Sequence, residues 1–381
     1  MQTESQLVLV LDDDVMVTEG LAAGLERDDR TVITCNDVES AELIVERMHP
    51  SHIVADIRIS GPFSHEGLDF IRFAKRYAPE TRIILISGDA PESLQLEASE
   101  RGAVAFLQKP FEVRELNATL DMMTCSALSS TGDYGPVIRM PLLDDILSSG
   151  NLHSFFQPIV RLGSRKSILG YEALARFRSE SPMRNPDMMF KYAGRKKRIA
   201  ELEFACIGSA LREGAGLANT GILFLNIHPD VFISGTGLRN ALISHSEAAG
   251  VSHDRVVLEI TEQSALSGAP AVLTTISELR KLGFRFAFDD IGVAYSHMPL
   301  IDHVRPSFLK ISQDFGTAFE VDSTRTKIVT NLLSLARDFD CELILEGIEH
   351  QATADAAAAL GIPFGQGYFF GHPADASTCV K

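Results

Sequence analysis

The sequence predicts two α/β domains in series, a doubly wound parallel sheet followed by a parallel eight-stranded (β/α) barrel. Two observations predict it. Over roughly the first third of the chain, five short apolar runs alternate with amphipathic segments, the pattern of strands and covering helices in an open sheet. From the middle onward, apolar and β-branched runs end directly in an acid, an amide or a lysine: Ile222 to Leu225 in Asn226, Val256 to Leu258 in Glu259, Phe286 to Phe288 in Asp289-Asp290, Phe308-Leu309 in Lys310, and Leu343 to Leu345 in Glu346. Runs of that kind are strands buried on both faces, and polar residues at the exits of successive strands are how a parallel barrel converges its chemistry on one rim. A length of 381 residues accommodates both domains, since a barrel alone takes ~250 residues.

In the first domain, placed at residues 1–123, the strands are Leu7 to Leu11, Thr31 to Cys35, His52 to Ala55, Arg82 to Ile86 and Val104 to Leu107. Val17 to Leu25 and Ala41 to Met48 are among the intervening amphipathic segments. In such a sheet the working edge lies where strands end. At those ends stand Asp12 and Asp13, Asp56, Ser87, and Lys109 followed by Pro110. Helix N-capping would explain Asp12 to Asp14 alone, but not the other three positions. Three carboxylates can hold Mg²⁺, one can accept a phosphoryl group, and a hydroxyl with a lysine can bind the phosphoryl oxygens.

Residues 124–141 mix small, polar and turn residues without a helical stripe and read as a linker. The second domain, at residues 142–381, opens with strands at Phe155 to Val160 and Gly170 to Arg176, separated by a turn at Gly163-Ser164. Glu172 and Arg176 offer a metal ligand and a phosphate-binding cation. The basic run Arg195 to Arg198 is read as a solvated helix face that could also meet an anionic partner. Acids at helix starts are commonly caps, yet the acids here lie inside or at the very end of apolar runs, where a row of them repels unless cations neutralise it. Oxygen and amide ligands favour Mg²⁺ or Mn²⁺.

The Asp12, Asp13, Asp56, Ser87 and Lys109 set resembles the receiver domain of two-component response regulators, which implies a flavodoxin-like sheet. By that resemblance Asp56 is the phosphoacceptor, Asp12 and Asp13 bind Mg²⁺, Ser87 and Phe106 are the switch pair, and Lys109 contacts the phosphoryl group. Segment 60–66, after the acceptor, departs from the family. In the second domain, Glu172-Ala173-Leu174 is similar to the signature of the EAL domain of cyclic di-GMP phosphodiesterases. Asn226, Leu258 to Glu262, Asp289-Asp290, Lys310-Ile311, Glu346 to Glu349 and Gln366 to Tyr368 follow in the family's order. The resemblance implies a TIM-like barrel in which Glu172, Asn226, Glu259 and Asp289 hold one metal, with Asp289 and Asp290 leading to a second and Glu346 binding metal or, as base, water. It implies that Glu172, Lys310 and Glu346 serve catalysis, that Gln157, Arg176 and Gln366 bind substrate and its water, and that Glu349 stabilises a loop.

Departures accompany the matches. Ser312 stands where the family has an aspartate, residues 291–295 differ in a loop that couples metal binding to dimer contacts in the family, and Gly194 and Glu203 alter the nucleotide pocket. His297 is read as a packing or surface residue. The expectation is a response regulator whose barrel opens cyclic di-GMP to linear pGpG with two divalent metals, under control of Asp56. The alternative is a catalytically impaired EAL module that acts as a cyclic di-GMP receptor or by protein contact. A histidine kinase or phosphotransfer protein is the expected phosphodonor, and a homo-oligomer the expected assembly. A net charge of −16 argues against wrapping by a long nucleic acid. The lack of any ~20-residue apolar stretch argues against a membrane span. An N-terminus without a basic region and five scattered cysteines point to the cytosol.

Overall fold

The computed structural model describes residues 6–59, 66–88, 92–123, 137–148, 150–163, 167–178, 181–233, 235–261, 270–291, 301, 303–312 and 323–379. The loop at 292–295, His297, Glu262, residues 60–65 and the first part of the linker lie outside them. The chain divides into two compact units. The first is Met1–Ser148 with Phe177–Arg198, and the second is Ser149–Arg176 with Ile199–Lys381.

The first unit alternates β1 (Gln6–Leu11), α1 (Val15–Leu25), β2 (Arg30–Cys35), α2 (Val38–Met48), β3 (His52–Asp56), α3 (Glu66–Tyr77), β4 (Arg82–Ser87), α4 (Glu92–Glu100), β5 (Ala105–Gln108) and α5 (Val113–Met122). The five expected strands pair in parallel in the order β5-β4-β3-β1-β2. The strand order reverses at β1, so the ends of β1 and β3 open the crevice where such sheets bind ligands. One strand was not expected. β6 (Val137–Arg139) lies within the segment read as linker, yet it adds to the edge of β2, with Val32 opposite Val137. Three residues are too few to show a period, which is why the sequence reading took them for connection. Next comes the short α6 (Leu143–Leu147), and later in the chain α7 (Pro186–Arg195), which this unit also includes.

The second unit is a closed barrel built from β7 (Leu152–Arg161), β8 (Ile168–Phe177), β9 (Ile222–Asn226), β10 (Val256–Thr261), β11 (Arg285–Ile291), β12 (Phe308–Ile311), β13 (Glu342–Leu345) and β14 (Phe364–Gln366). Its helices are α8 (Ile199–Ala218), α9 (Pro229–Ile233), α10 (Gly235–Ala249), α11 (Pro270–Lys281), α12 (Ser323–Asp338), α13 (Gln351–Leu360) and α14 (Ala376–Cys379). The expected barrel was wholly parallel, but β7 runs antiparallel to β14, with Gln366 opposite Ile159. The physical cause is the short connection from β7 to β8. It leaves no room for the dozen residues that a parallel crossover needs.

The interior of the barrel explains why its apolar runs end in polar residues. Ile159, Ile222, Phe224, Val257, Ala287, Phe308, Ile344 and Phe364 form one buried layer across the barrel. Side chains two residues apart on a strand point to the same side. Asn226, Glu259, Asp289, Lys310, Glu346 and Gln366 each follow a layer residue by two positions, so they stand directly above it. Gln157 precedes Ile159 by two because its strand runs the other way. Glu172 follows Gly170 by the same step, and a Cβ at Gly170 would lie 2.2 Å from the Ile222 carbonyl oxygen, so β8 and β9 approach closely there.

Candidate active site

Lys310 is the hub of the barrel rim. Its side chain is 1% exposed, and Nζ lies 2.7 Å from Glu346 Oε1, 2.9 Å from Glu259 Oε1, 3.2 Å from Glu172 Oε2 and 3.4 Å from Asp289 Oδ1. Four strands therefore aim carboxylates at one ammonium. Burial opposes the charge on Lys310, but the four acids outweigh it and hold the ammonium well above its ordinary pKa. Burial likewise opposes ionisation of Glu172. There Lys310 and hydrogen bonds from Gln366 and Asn226 prevail, and the carboxyl is held below its usual range.

The amides orient this carboxylate. Asn226 Nδ2 donates to Glu172 Oε1 at 2.7 Å, and Gln366 Nε2 donates to Glu172 Oε2 at 2.6 Å. Gln366 Nε2 also reaches Gln157 Oε1 at 3.0 Å, and Gln157 Nε2 donates to the Gly371 carbonyl at 3.2 Å. Glu259 differs from Glu172. It is fully buried, its Oε1 lies 2.9 Å from Lys310 Nζ, and among the described residues no amide or backbone N–H donates to either of its oxygens. Desolvation pushes its carboxyl well above the ordinary value. Glu346 is also raised, to about 8, first by burial and then by the acids around it, against the pull of Lys310.

A bulge shapes the Asp289-Asp290 pair. Between Phe288 opposite Leu309 and Ile291 opposite Ile311, β11 holds one more residue than β12. The extra residue re-aims the strand. Asp290 takes φ 56° and turns outward, its backbone N–H donating to Asp289 Oδ1 at 3.0 Å. Asp289, Asp290 and Glu346 then offer ligand oxygens within 4.8 Å of one another. Asp289 and Glu346 line a cavity of about 280 Å³ whose walls also include Gln157, Glu172, Leu174, Glu349, Gln366 and Tyr368. Buried carboxylate oxygens without amide or backbone donors, beside a second acid cluster at the mouth, fit hard divalent cations bound through oxygen.

Of the residues the sequence singled out, this rim brings together Gln157, Glu172, Asn226, Glu259, Asp289, Asp290, Lys310, Glu346, Glu349 and Gln366. Arg176 also belongs to β8, but its guanidinium donates to the Ala175 carbonyl at 2.8 Å and lies 5.7 Å from the centre of the Phe155 ring. Ser312 is buried at the end of β12. Two residues named in the sequence analysis without a role at the site are given a place by the structure. Tyr368 forms part of the cavity wall, exposed and stacked on His372 with ring centres 4.2 Å apart. Its place right after Gln366-Gly367 was the available signal. Glu203, noted in sequence only as a departure, is buried in α8 and raised to about 8 by desolvation, with the His228 backbone N–H donating to it at 3.1 Å.

The first unit carries a second acidic site. Lys109 Nζ lies 2.8 Å from both Asp12 Oδ2 and Asp56 Oδ2, tying the ends of β1 and β3 together. Burial raises the Asp12 carboxyl, with Lys109 and the Asp14 N–H opposing. Asp14 caps α1, as the capping reading allowed, while Asp13 is exposed beside Asp12. Ser87 is buried at the end of β4, and Phe106 is half-buried on β5. Lys109-Pro110 is a cis peptide.

Comparison with known proteins finds a family for each of the two domains. A family model described as the EAL domain matches residues 142–373, and one described as the response regulator receiver domain matches residues 8–121. The bifunctional diguanylate cyclase/cyclic di-GMP phosphodiesterase MucR of Pseudomonas aeruginosa is 28% identical over 256 residues, 64% of this chain and 36% of its own length. The probable cyclic di-GMP phosphodiesterase PdeA of Escherichia coli is 26% identical over 241 residues, 62% of this chain and 32% of its own. The match thus spans about a third of each of these curated relatives. Among solved structures, the EAL enzyme Bd1971, bound to cAMP and cyclic di-GMP, superposes with a TM-score of 0.57 at 27% identity, covering 62% of this chain and 66% of that one.

Proposed function

The chain belongs to the EAL domain family, and on that premise we propose that it is a response regulator whose barrel hydrolyses cyclic di-GMP to linear pGpG, adjusted by phosphorylation of Asp56. The observation that carries this reading is the rim itself: Glu172, Glu259, Asp289 and Glu346 converge on Lys310 from four strands, and Asn226 holds the Glu172 carboxylate. Glu172, Asn226, Glu259 and Asp289 would hold one Mg²⁺ or Mn²⁺, and Asp289, Asp290 and Glu346 a second. The chemistry that a pair of divalent cations supplies is neutralisation of the phosphodiester charge and a lowered pKa for the attacking water.

The chain's own residues do the rest. Water oxygen attacks phosphorus, the bond from phosphorus to one O3′ breaks, and the freed O3′ takes a proton, leaving a 5′-phosphate on a linear dinucleotide. Glu346, at the mouth of the cavity and 2.7 Å from Lys310, is placed to accept the water's proton. Lys310 offsets the charge of the acids, and Gln366 holds the Glu172 carboxylate in one orientation. Gln157 and Arg176 are the substrate-binding candidates, and Glu349 steadies the loop after β13. In the first unit, a carboxylate oxygen of Asp56 attacks the donor's phosphorus and the donor's P–N bond breaks, with Lys109 and Ser87 the residues for the phosphoryl oxygens; Asp12 and Asp13 would hold a Mg²⁺, which would neutralise phosphoryl charge.

Chromatographic detection of pGpG with Mg²⁺ or Mn²⁺, using Glu172→Ala as control, tests the reading. Turnover that vanishes in the control supports it; no turnover with either metal, with Asp56 phosphorylated or not, refutes it. One observation favours the second reading, a receptor: Ser312 puts a neutral hydroxyl at a buried rim position. Calorimetric binding of cyclic di-GMP without product would select that alternative.

A further inference from the structure

The first unit holds a helix that none of its phosphoryl chemistry uses. α7 lies against α2, and its polar residues are matched to the acids of that helix one by one. Tyr192 is fully buried, and its hydroxyl donates to Asp37 Oδ2 at 2.5 Å. Lys196 Nζ lies 2.9 Å from Glu39 Oε2 and 3.4 Å from Asp37 Oδ2. Arg195 bonds Glu42 and, at 2.7 Å, Glu46, while its guanidinium carbon lies 5.3 Å from the centre of the Phe73 ring on α3. The basic run that the sequence reading took for a solvated face is thus occupied by acids of the same unit.

Asp37 is the end of this clasp that lies next in the chain to the phosphoacceptor's surroundings. It caps α2, accepting from the Ser40 N–H at 2.7 Å, and is bonded in the chain to Asn36. Asn36 Nδ2 donates to the Asp12 carbonyl at 2.8 Å and to Thr18 Oγ1 at 3.1 Å. Asp12 in turn shares Lys109 with Asp56. The path from Asp56 to Tyr192 runs through Lys109, the Asp12 side chain, the Asp12 main-chain carbonyl, the Asn36 amide and the chain bond from Asn36 to Asp37. At its far end, α7 is joined by chain to β8, which carries Glu172 and Arg176, and to α8, which carries Glu203.

We propose that α7 is the receiver's output element: phosphorylation of Asp56 reaches the barrel through the Tyr192–Arg195–Lys196 clasp on α2. The inference rests on the phosphorylation reading above and adds its route. A phosphoryl group itself carries about −1.5 to −2 charges, and because it replaces the single charge of the Asp56 carboxylate the site gains at most about one. Lys109 is the ammonium shared by Asp12 and Asp56, so a charge gained at Asp56 draws it from the Asp12 carboxylate; the end of β1 then readjusts, and with it the Asp12 carbonyl that the Asn36 amide bonds, next to the Asp37 carboxylate that Tyr192 and Lys196 hold. Contiguity alone does not prove coupling, so the test must measure a response in α7.

Hydrogen exchange of residues 186–196 is followed in the full-length protein with and without beryllium fluoride, a phosphoryl mimic, in wild type, Arg195→Glu and Tyr192→Phe. The expected result is a severalfold change in α7 exchange in wild type that is lost in Arg195→Glu and reduced in Tyr192→Phe. The charge swap Arg195→Glu with Glu42→Arg and Glu46→Arg restores it, which a merely structural defect would not allow. In turnover, phosphorylation should change the wild-type rate by roughly fivefold or more, and Arg195→Glu should bring that ratio near one. Unchanged α7 exchange in protein shown by gel retardation to carry the phosphoryl group overturns the route and leaves the phosphorylation reading standing. Failure of Asp56 to take up a phosphoryl group overturns both. Absent turnover in every state refutes the phosphodiesterase reading alone, since the exchange experiment still decides the route.

Discussion

Replacing Lys310 with methionine asks whether the barrel rim carries its own counter-ion. Met keeps an unbranched side chain, one atom shorter, and removes the ammonium with its charge and its N–H donors, leaving Glu172, Glu259, Asp289 and Glu346 facing one another where an ammonium now lies 2.7 to 3.4 Å from each. Breaking a buried ion pair by removal of one partner costs about 3–5 kcal/mol. For a domain of this size each kcal/mol lowers the midpoint by about 2–4 °C, so in EDTA near neutral pH the barrel of Lys310→Met should melt about 6–20 °C below wild type. Calorimetry is the suitable assay, because the chain has no tryptophan and the receiver's own transition serves as an internal reference. Saturating Mn²⁺ should raise the variant's midpoint more than that of wild type, since a bound cation then replaces the missing ammonium. A Lys310→Met barrel in EDTA within about 2 °C of wild type would refute the idea that Lys310 holds the four acids together.

Three further outcomes are expected. Ser312→Asp restores a carboxylate at the end of β12 and should raise Mg²⁺-supported pGpG formation, read by chromatography. Gly367→Ala would place a Cβ 2.1 Å from the Ile348 carbonyl oxygen. That clash is with backbone and cannot relax through a side chain, so the change should cost on the order of 3 kcal/mol and loosen the wall that carries Gln366, seen as a lower barrel midpoint. Glu203, raised from an ordinary 4.5 to about 8 by burial, binds its proton more tightly in the folded chain than in the unfolded one. The barrel should therefore lose stability as pH rises from 4.5 to about 8. Glu203→Gln should flatten that slope in calorimetric midpoints, while a slope unaltered by the substitution would assign it to other groups.

The sequence made the rim legible because a barrel strand couples two signals in one run. Phe224 and Asn226, or Val257 and Glu259, share a face by the two-residue period, so an apolar run broken by an acid marks both the interior layer and the site above it. Lys310 was legible as a site residue but not as a hub, since nothing in Phe308-Leu309-Lys310 says that four acids from other strands meet one ammonium. The antiparallel β7 was hidden because its direction is set by a short connection and not by its own composition. β6 was hidden by brevity. The clasp on α2 was the least legible of all: Glu39, Glu42 and Glu46 have the spacing of any solvated helix face, and only the fold sets Arg195 and Lys196 against them.

Lys310 also bears on how an acidic rim can fold before any cation arrives. Four carboxylates on neighbouring strands would repel in a low-dielectric interior, and charges left there without partners shift their pKa values or destabilise the fold. The ammonium resolves this only in part. Glu172, with two amide donors and Lys310, is held ionised, whereas Glu259 and Glu346 are pushed towards the protonated form. One positive charge thus satisfies one carboxylate fully and leaves the others short of partners. Divalent cations binding through Glu259 and Glu346 must displace protons from those carboxyls, so their affinity should rise with pH as the carboxyls ionise. The rim is therefore stable enough to assemble alone and incomplete enough to bind, because Lys310 supplies less charge than the acids around it demand.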